Sequence, residues 1–380
     1  MISQVGKVSI INKALLTPIQ LAGKTLKNRI VLPPMTRSRA NNQKQAATAL
    51  MAEYYSQRSS AGLMISEGTQ VSPLGKGYAW TPGIYSAAQI HGWQQVTEQV
   101  HQNDAVFFAQ LWHVGRVTHP DNIGGQQPIS SSAITAQGVK VFVDNGTNEP
   151  GFVEVVPPRE MNKDDIRQVV AEFKQAALNA VTAGFDGIEL HAANGYLINQ
   201  FIDSQSNTRT DEYGGSLANR LRFLEQVVIA MSDAIGSDKI GVRLAPLTTL
   251  NGTVDDQPEE TYTAVAALLN KHNIAYLHIA EADWDDAPIM PIAFKQALRD
   301  NFDGVLIYAG KYTVERAEQA ISDGLADMVA FGRPFVANPD LPERIKNNTP
   351  WATHDATSLF GGGAKGFTDY PQAIPSSVTA

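Results

Sequence analysis

The chain has 380 residues, a formal net charge of -8 and 43% hydrophobic residues, enough apolar side chain for one large α/β barrel or two ordinary domains. An acidic balance without a Lys/Arg block argues against nucleic acid or an anionic membrane surface as partner, and towards a small molecule. The absence of cysteine excludes disulfides, thiolate zinc sites and cysteine-bound iron–sulfur clusters.

In chain order, the opening "MISQVGKVSIINKALL" lacks a cleavable signal pattern, and no apolar run approaches the roughly 20 residues that span a bilayer. A soluble, cytoplasmic protein without membrane contact is expected. "LLTPIQLAGKTLKNR" reads as a hairpin turning at Ala22-Gly23-Lys24, ahead of the first strand, where it could plug a barrel floor. Short apolar, β-branched runs then alternate with helical segments, the pattern of a parallel sheet. Strands are expected at Ile30–Pro34, Leu63–Gly68, Ala105–Leu111, Gly187–His191, Ile240–Ala245, Tyr276–Ala280, Gly304–Tyr308 and Met328–Phe331.

Helices fit between them. In "NKDDIRQVVAEFKQAALNAVTAG", Ile166, Val169, Val170, Phe173, Ala177 and Val181 trace one apolar stripe; Asn162 caps the start, Asp164 and Asp165 favour the positive end of the dipole, and Gly184 ends it. Further helices are expected at Thr48–Ser60, Ala87–Gln102, Leu217–Ile235, Glu259–Lys271, Ile292–Asp300, Val314–Ser322 and Pro339–Asn347. Eight alternations favour a single-domain (β/α)8 TIM barrel over an open doubly wound sheet. The stretch 114–160 interrupts the third unit, is rich in Gly, Ser, Asn and Pro, and holds a hairpin, "KVFVDN" with "GFVEVV". It is expected to form a lid or wall over the active-site face, and the tail from about 372 to 380 to be flexible.

In such barrels chemistry gathers at the C-terminal ends of the strands. There the sequence places Pro34-Met35-Thr36, Glu67-Gly68-Thr69, Gln110, Trp112 and His113, then His191, Asn194 and Tyr196, then Arg243, then His278, Glu281 and Trp284, and last "YAGKYT" and "FGRP". Gly310 before a helix, with Gly332 and Arg333 on the neighbouring strand end, offers backbone N–H groups and a guanidinium, the means by which a phosphate is held. No P-loop or Rossmann pattern is present, and no His/Asp/Glu grouping has metal spacing. No metal is therefore expected, and His272 and His278 read as surface and packing residues. A lone His beside an apolar run is ordinarily a packed or capping residue; His191 is set apart by the Asn and Tyr that follow within six positions.

"PPMTRSRA", "AQLWHVGR", "HAANGYLINQFIDSQSNTRTDEYGGSLANRLRFLEQVV", "GVRLAP", "VAFGRPFVANPDLPERI" and "GGGAKGFTDYP" together resemble the Old Yellow Enzyme family of FMN-dependent ene-reductases, from about Leu16 to Pro371. The resemblance implies that Thr36 hydrogen-bonds the flavin near N5, that Gln110 and Arg243 hold its pyrimidine edge, and that Pro34, Met35, Gly68, Gly310, Gly332 and Arg333 complete the cofactor site. It implies that His191 and Asn194 bind a substrate oxygen while Tyr196 acts as proton donor, with Tyr78, Trp112, Trp284 and Phe360 lining the substrate side. Phe360 departs from the family's usual tyrosine, while Thr36 and Asn194 match the yeast-like and plant-like branch.

The expected activity is NAD(P)H-dependent reduction of enones, enals or nitroalkenes, with NADPH the family's usual reductant and NADH also possible, in a monomer or homodimer. A nitro or nitrate-ester reductase of the same family is the enzymatic alternative. A flavin-binding protein without turnover is the alternative of another class, and retention of His191, Asn194 and Tyr196 together argues against it.

Overall fold

The computed structural model describes residues 13–146, 149–281 and 288–373. Eight parallel strands close into a barrel: β1 (Ile30–Leu32), β2 (Leu63–Ile65), β3 (Val106–Trp112), β4 (Gly187–His191), β5 (Ile240–Leu244), β6 (Tyr276–Ala280), β7 (Val305–Ala309) and β8 (Met328–Ala330). Closure is made where β8 pairs with β1, Val329 opposite Ile30. Around the ring, register sets Glu189 of β4 opposite Gln110 of β3, His191 opposite Arg243 of β5, and Arg243 opposite His278 of β6. Polar groups from four adjacent strands therefore share one level of the lumen, because side chains two apart on a strand face the same way.

Ten helices follow in order among the described residues: α1 (Ala49–Gln57), α2 (Ala87–His101), α3 (Lys163–Thr182), α4 (Leu197–Ile202), α5 (Leu217–Ile235), α6 (Pro258–Lys271), α7 (Ile292–Asp300), α8 (Val314–Ser322), α9 (Gly332–Ala337) and α10 (Leu341–Asn347). The expected cap of α3 is present, with the Asn162 side chain accepting from Asp164 and Asp165 N–H. Its stripe differs at one end. Val181 is exposed, having rotated past the buried face, which Ala176 and Ala180 complete.

Two apolar layers result. Strand and helix side chains such as Phe107, Trp93, Phe173 and Leu224 pack between barrel and helices. Inside the lower barrel Leu63, Ile65, Phe108, Ile307 and Met328 meet Leu21 and Leu26 of the N-terminal hairpin, Ile19–Leu21 with Lys24–Leu26. The hairpin turns through Ala22 and Gly23, both left-handed, the geometry of a tight two-residue turn. It plugs the floor as expected.

The insertion forms a wall at the opposite end. Its hairpin, Lys140–Val143 with Gly151–Glu154, docks on the segment after β2 through Ala79 N–H to Phe142 O (2.9 Å). Its base is tied down by the Arg116 guanidinium, which donates to Ile134 O, Ser206 Oγ, Asn251 O and Gly252 O.

Candidate active site

At the C-terminal ends of the strands lies a cavity of about 620 Å³. Its wall includes Pro34, Met35, Thr36, Gly68, Tyr78, Gln110, Trp112, His191, Asn194, Tyr196, Arg243, Gly310, Gly332, Arg333 and Phe360, so fifteen of the sixteen residues singled out from sequence converge there. The sixteenth, Trp284, lies outside the described residues.

β4 ends at His191, which is buried. Its Nδ1 accepts from Ala193 N–H (3.4 Å), so the ring proton sits on Nε2, the nitrogen left for the cavity. Burial, reinforced by the Arg243 charge, holds its pKa well below the usual histidine range, so it is a neutral donor. The chain then turns through Asn194 and Gly195, both left-handed. A Cβ at Gly195 would stand 2.5 Å from Leu250 O, so only glycine fits. Asn251 Nδ2 donates to Asn194 O (2.8 Å) and Gly195 N–H donates to Asn199 Oδ1 (2.9 Å), which fixes the asparagine's backbone at the rim. Tyr196 caps the start of α4 and turns its ring edgewise to both His191 (5.0 Å) and Trp112 (4.9 Å). Its hydroxyl lies 3.2 Å from that of Tyr78, and burial pushes the Tyr78 phenol pKa up.

Beneath the cavity, Arg243 is buried and bonded through Nη1 to His278 Nε2 (2.8 Å). His278, read from sequence together with His272 as surface and packing residues, is fully buried; its Nδ1 lies 2.8 Å from Glu189 Oε2. Gln110 Nε2 donates to Glu189 Oε1 (2.9 Å), which leaves the amide oxygen of Gln110 for the cavity. Glu189 was not singled out from sequence, and His278 was noted at its strand end without a functional role. The signal was present, since "GIELH" and "YLHIA" each put a titratable residue inside a strand buried on both faces.

Behind Thr36, the Glu67 carboxylate accepts from the N–H groups of Arg37 (3.3 Å) and Ser38 (3.2 Å). Its pKa is raised to about 7 by burial, with those two amides pulling the other way. Gly68 has a packing reason of its own: a Cβ there would stand 2.4 Å from the Trp112 ring. Gly332 has none, because a Cβ there would meet nothing closer than 3.6 Å; the room lies towards the cavity. Gly332 and Arg333 open α9, a short helix that the sequence reading missed, close to Gly310 and Lys311 after β7. A helix start beside two strand-end glycines, an arginine and a lysine suits a phosphate. Over the mouth stand Phe142, Phe152 and Trp80, in ring contact as Trp80–Phe142 (5.0 Å) and Phe142–Phe152 (5.3 Å), with Phe360 half out in solvent.

The arrangement fits FMN: a cavity whose wall includes Met35 and Trp112, the buried Arg243 cation and the Gln110 amide, and the Gly310, Lys311, Gly332 and Arg333 group suited to a phosphate. The buried Trp112 Nε1, which has no acceptor among the described residues, is a spare donor facing this space. Fold and site thus define a TIM-barrel flavoprotein oxidoreductase.

The model of the NADH:flavin oxidoreductase / NADH oxidase family matches residues 14–351. Putative 12-oxophytodienoate reductase 11 of Oryza sativa subsp. japonica is 40% identical over 371 residues, 96% of this chain and 98% of its own length. The probable flavin mononucleotide-dependent alkene reductase of Leishmania infantum is 38% identical over 361 residues, covering 94% of this chain and 97% of its own. Among solved structures, morphinone reductase in complex with tetrahydroNAD superposes with a TM-score of 0.92 at 42% identity, covering 97% of this chain and 100% of that one. The Old Yellow Enzyme homologue from Zymomonas mobilis gives a TM-score of 0.88 at 38% identity, covering 94% and 99%. The chain belongs to the NADH:flavin oxidoreductase / NADH oxidase family, that of Old Yellow Enzyme, and is an FMN-dependent oxidoreductase of the alkene-reductase type. No helix among the described residues is long and apolar enough to cross a membrane.

Proposed function

We propose that the chain takes electrons from a reduced nicotinamide nucleotide, NADPH or NADH, and reduces the activated C=C bond of α,β-unsaturated carbonyl or nitro compounds. The observation that carries this reading is the meeting of a neutral His191 N–H, Asn194 and the Tyr196 hydroxyl at one wall of the cavity. FMN held in this cavity would supply the hydride for the β-carbon.

The chain's own residues do the rest. His191 Nε2–H and the Asn194 amide donate to the same carbonyl or nitro oxygen, drawing electrons from the alkene and stabilising the charge that builds on that oxygen. A neutral imidazole suits this task because it keeps its proton while donating. Tyr196 then gives its hydroxyl proton to the α-carbon. As that proton leaves, Tyr78 O–H donates to the phenolate oxygen; being the buried phenol with the raised pKa, Tyr78 keeps its own proton. Arg243 offers positive charge to the pyrimidine edge, Gln110 an acceptor oxygen, and Lys311, Arg333 and the start of α9 the phosphate contacts. The nicotinamide reductant is supported by the morphinone reductase relative, whose structure holds tetrahydroNAD.

The test is an anaerobic visible absorption trace of the purified protein as NADPH or NADH and then 2-cyclohexenone are added. A yellow flavin spectrum that bleaches and returns supports the reading. A spectrum that stays bleached with the enone refutes it for alkenes and redirects the search to nitro compounds without an activated alkene.

A further inference from the structure

Resting on the placement of FMN just given, we propose that Glu189, acting through His278, holds Arg243 in place and partly balances its charge, and so sets the reduction potential of the bound flavin. Glu189 sits at the centre of the barrel with no exposed surface. Its carboxylate receives three bonds, from Gln110 Nε2 (2.9 Å), Tyr276 Oη–H (3.1 Å) and His278 Nδ1 (2.8 Å). Gln110 comes from β3 and Tyr276 and His278 both from β6, and the space for one of them is built in. A Cβ at Gly241, the β5 neighbour opposite Glu189, would lie 2.0 Å from Tyr276 Cζ, so glycine there is what lets the tyrosine ring cross to the carboxylate.

The donor and acceptor count fixes the histidine. A guanidinium only donates, so His278 Nε2 accepts from Arg243, and the single ring proton is on Nδ1, facing the carboxylate. The ring is thus the neutral tautomer, oriented from below by Glu189 and orienting Arg243 above. The same carboxylate decides which way the Gln110 amide points.

Stability does not explain the arrangement. A carboxylate and a guanidinium in a barrel interior are expensive to desolvate, and an apolar layer of the same volume is often as stable or more so. The layer below is of that kind, made of Ile65, Phe108, Ile307 and Met328. The charged layer stands where the lumen meets the cavity. A positive charge there favours the anionic reduced flavin, and a negative charge one imidazole away moderates it.

The test is the midpoint potential of FMN in the holoprotein, with the Kd of oxidised FMN as control. In Glu189→Gln the bonds to Tyr276 and His278 survive, the charge goes, and the Gln110 amide turns over to present its N–H to the cavity. The ratio of reduced to oxidised FMN affinity should rise about tenfold, a positive shift of about 30 mV for two electrons. In His278→Leu, which fills the space but neither accepts nor donates, Arg243 is released and the ratio should fall about tenfold. His278→Gln, which can accept from Arg243 and donate to Glu189, should recover most of that fall.

Potentials equal to wild type in Glu189→Gln and His278→Leu, both with FMN bound, overturn the inference. Equal effects of His278→Leu and His278→Gln also overturn it, because they reduce His278 to packing. Should Glu189→Gln not fold, the two His278 variants decide alone. A wild-type protein that binds no FMN is a different result and overturns the reading beneath it.

Discussion

The two tyrosine hydroxyls 3.2 Å apart make a prediction that separates proton delivery from every other step. Tyr196→Phe removes the donor and leaves the cavity wall otherwise intact, including the ring contacts with Trp112 and His191. A positioned general acid is worth about 10²–10⁴ in rate, so reoxidation by an enone should slow by that factor. Reduction by the nicotinamide nucleotide needs no proton from this face and should be unchanged.

Tyr78→Phe removes one neutral hydrogen bond to the developing phenolate. That is worth about 0.5–1.5 kcal/mol, or roughly 2- to 13-fold, on the same half-reaction. Because Tyr78 acts through Tyr196, the double variant should be no slower than Tyr196→Phe alone. Anaerobic stopped-flow absorption, with the two half-reactions followed separately, measures all four proteins. The reasoning is refuted if Tyr78→Phe slows the Tyr196→Phe background by the factor it produces in wild type, or if both half-reactions slow together.

Glu67 predicts a pH dependence of stability. Its folded pKa of about 7 exceeds the ordinary 4.5, so the folded chain holds this proton more tightly. Stability is full below about pH 4.5 and falls as pH rises to about 7, by about 3 kcal/mol in all. Urea denaturation should show that slope in wild type relative to Glu67→Gln, and parallel pH profiles for the two would remove the argument. Gly68→Ala drives a methyl into the Trp112 ring at 2.4 Å. Overpacking of this kind costs about 1–3 kcal/mol, so the variant should unfold at lower urea and bind FMN more weakly, whereas an unaltered denaturation midpoint would contradict the packing.

Much of this was legible in the sequence, and the exceptions have physical causes. β4, β6, α5, α7 and α8 were expected at their observed bounds, the three helices because they end before Gly236, at Asp300 and at Ser322. The site was legible because a closed barrel gathers its strand ends, so residues far apart in sequence needed only to be assigned to the same end. α4 and α9 were missed because six residues make less than two turns, too few for a period to register. Pro334 also reads as a breaker, although in a first turn it costs the helix nothing. Glu189 was not picked out because it lies inside its strand, one layer below the end, and His278 was read as packing because its partner Glu189 is joined to it only when the ring closes. What no sequence pattern gave was the pairing of Tyr78 with Tyr196 or the clamp of Glu67 on the loop behind Thr36, both of which join segments placed together only by closure of the ring.

The plugged floor has a kinetic consequence. With Leu21 and Leu26 packed against one end of the lumen, the cavity lies at the other, where Trp80, Phe142 and Phe152 are part of its wall. Electron donor and electron acceptor must then enter by the same door, one after the other. Steady-state double-reciprocal plots should run parallel, and either partner in excess should block the other, so that the ratio of the two in solution, and not only the chemistry, governs turnover.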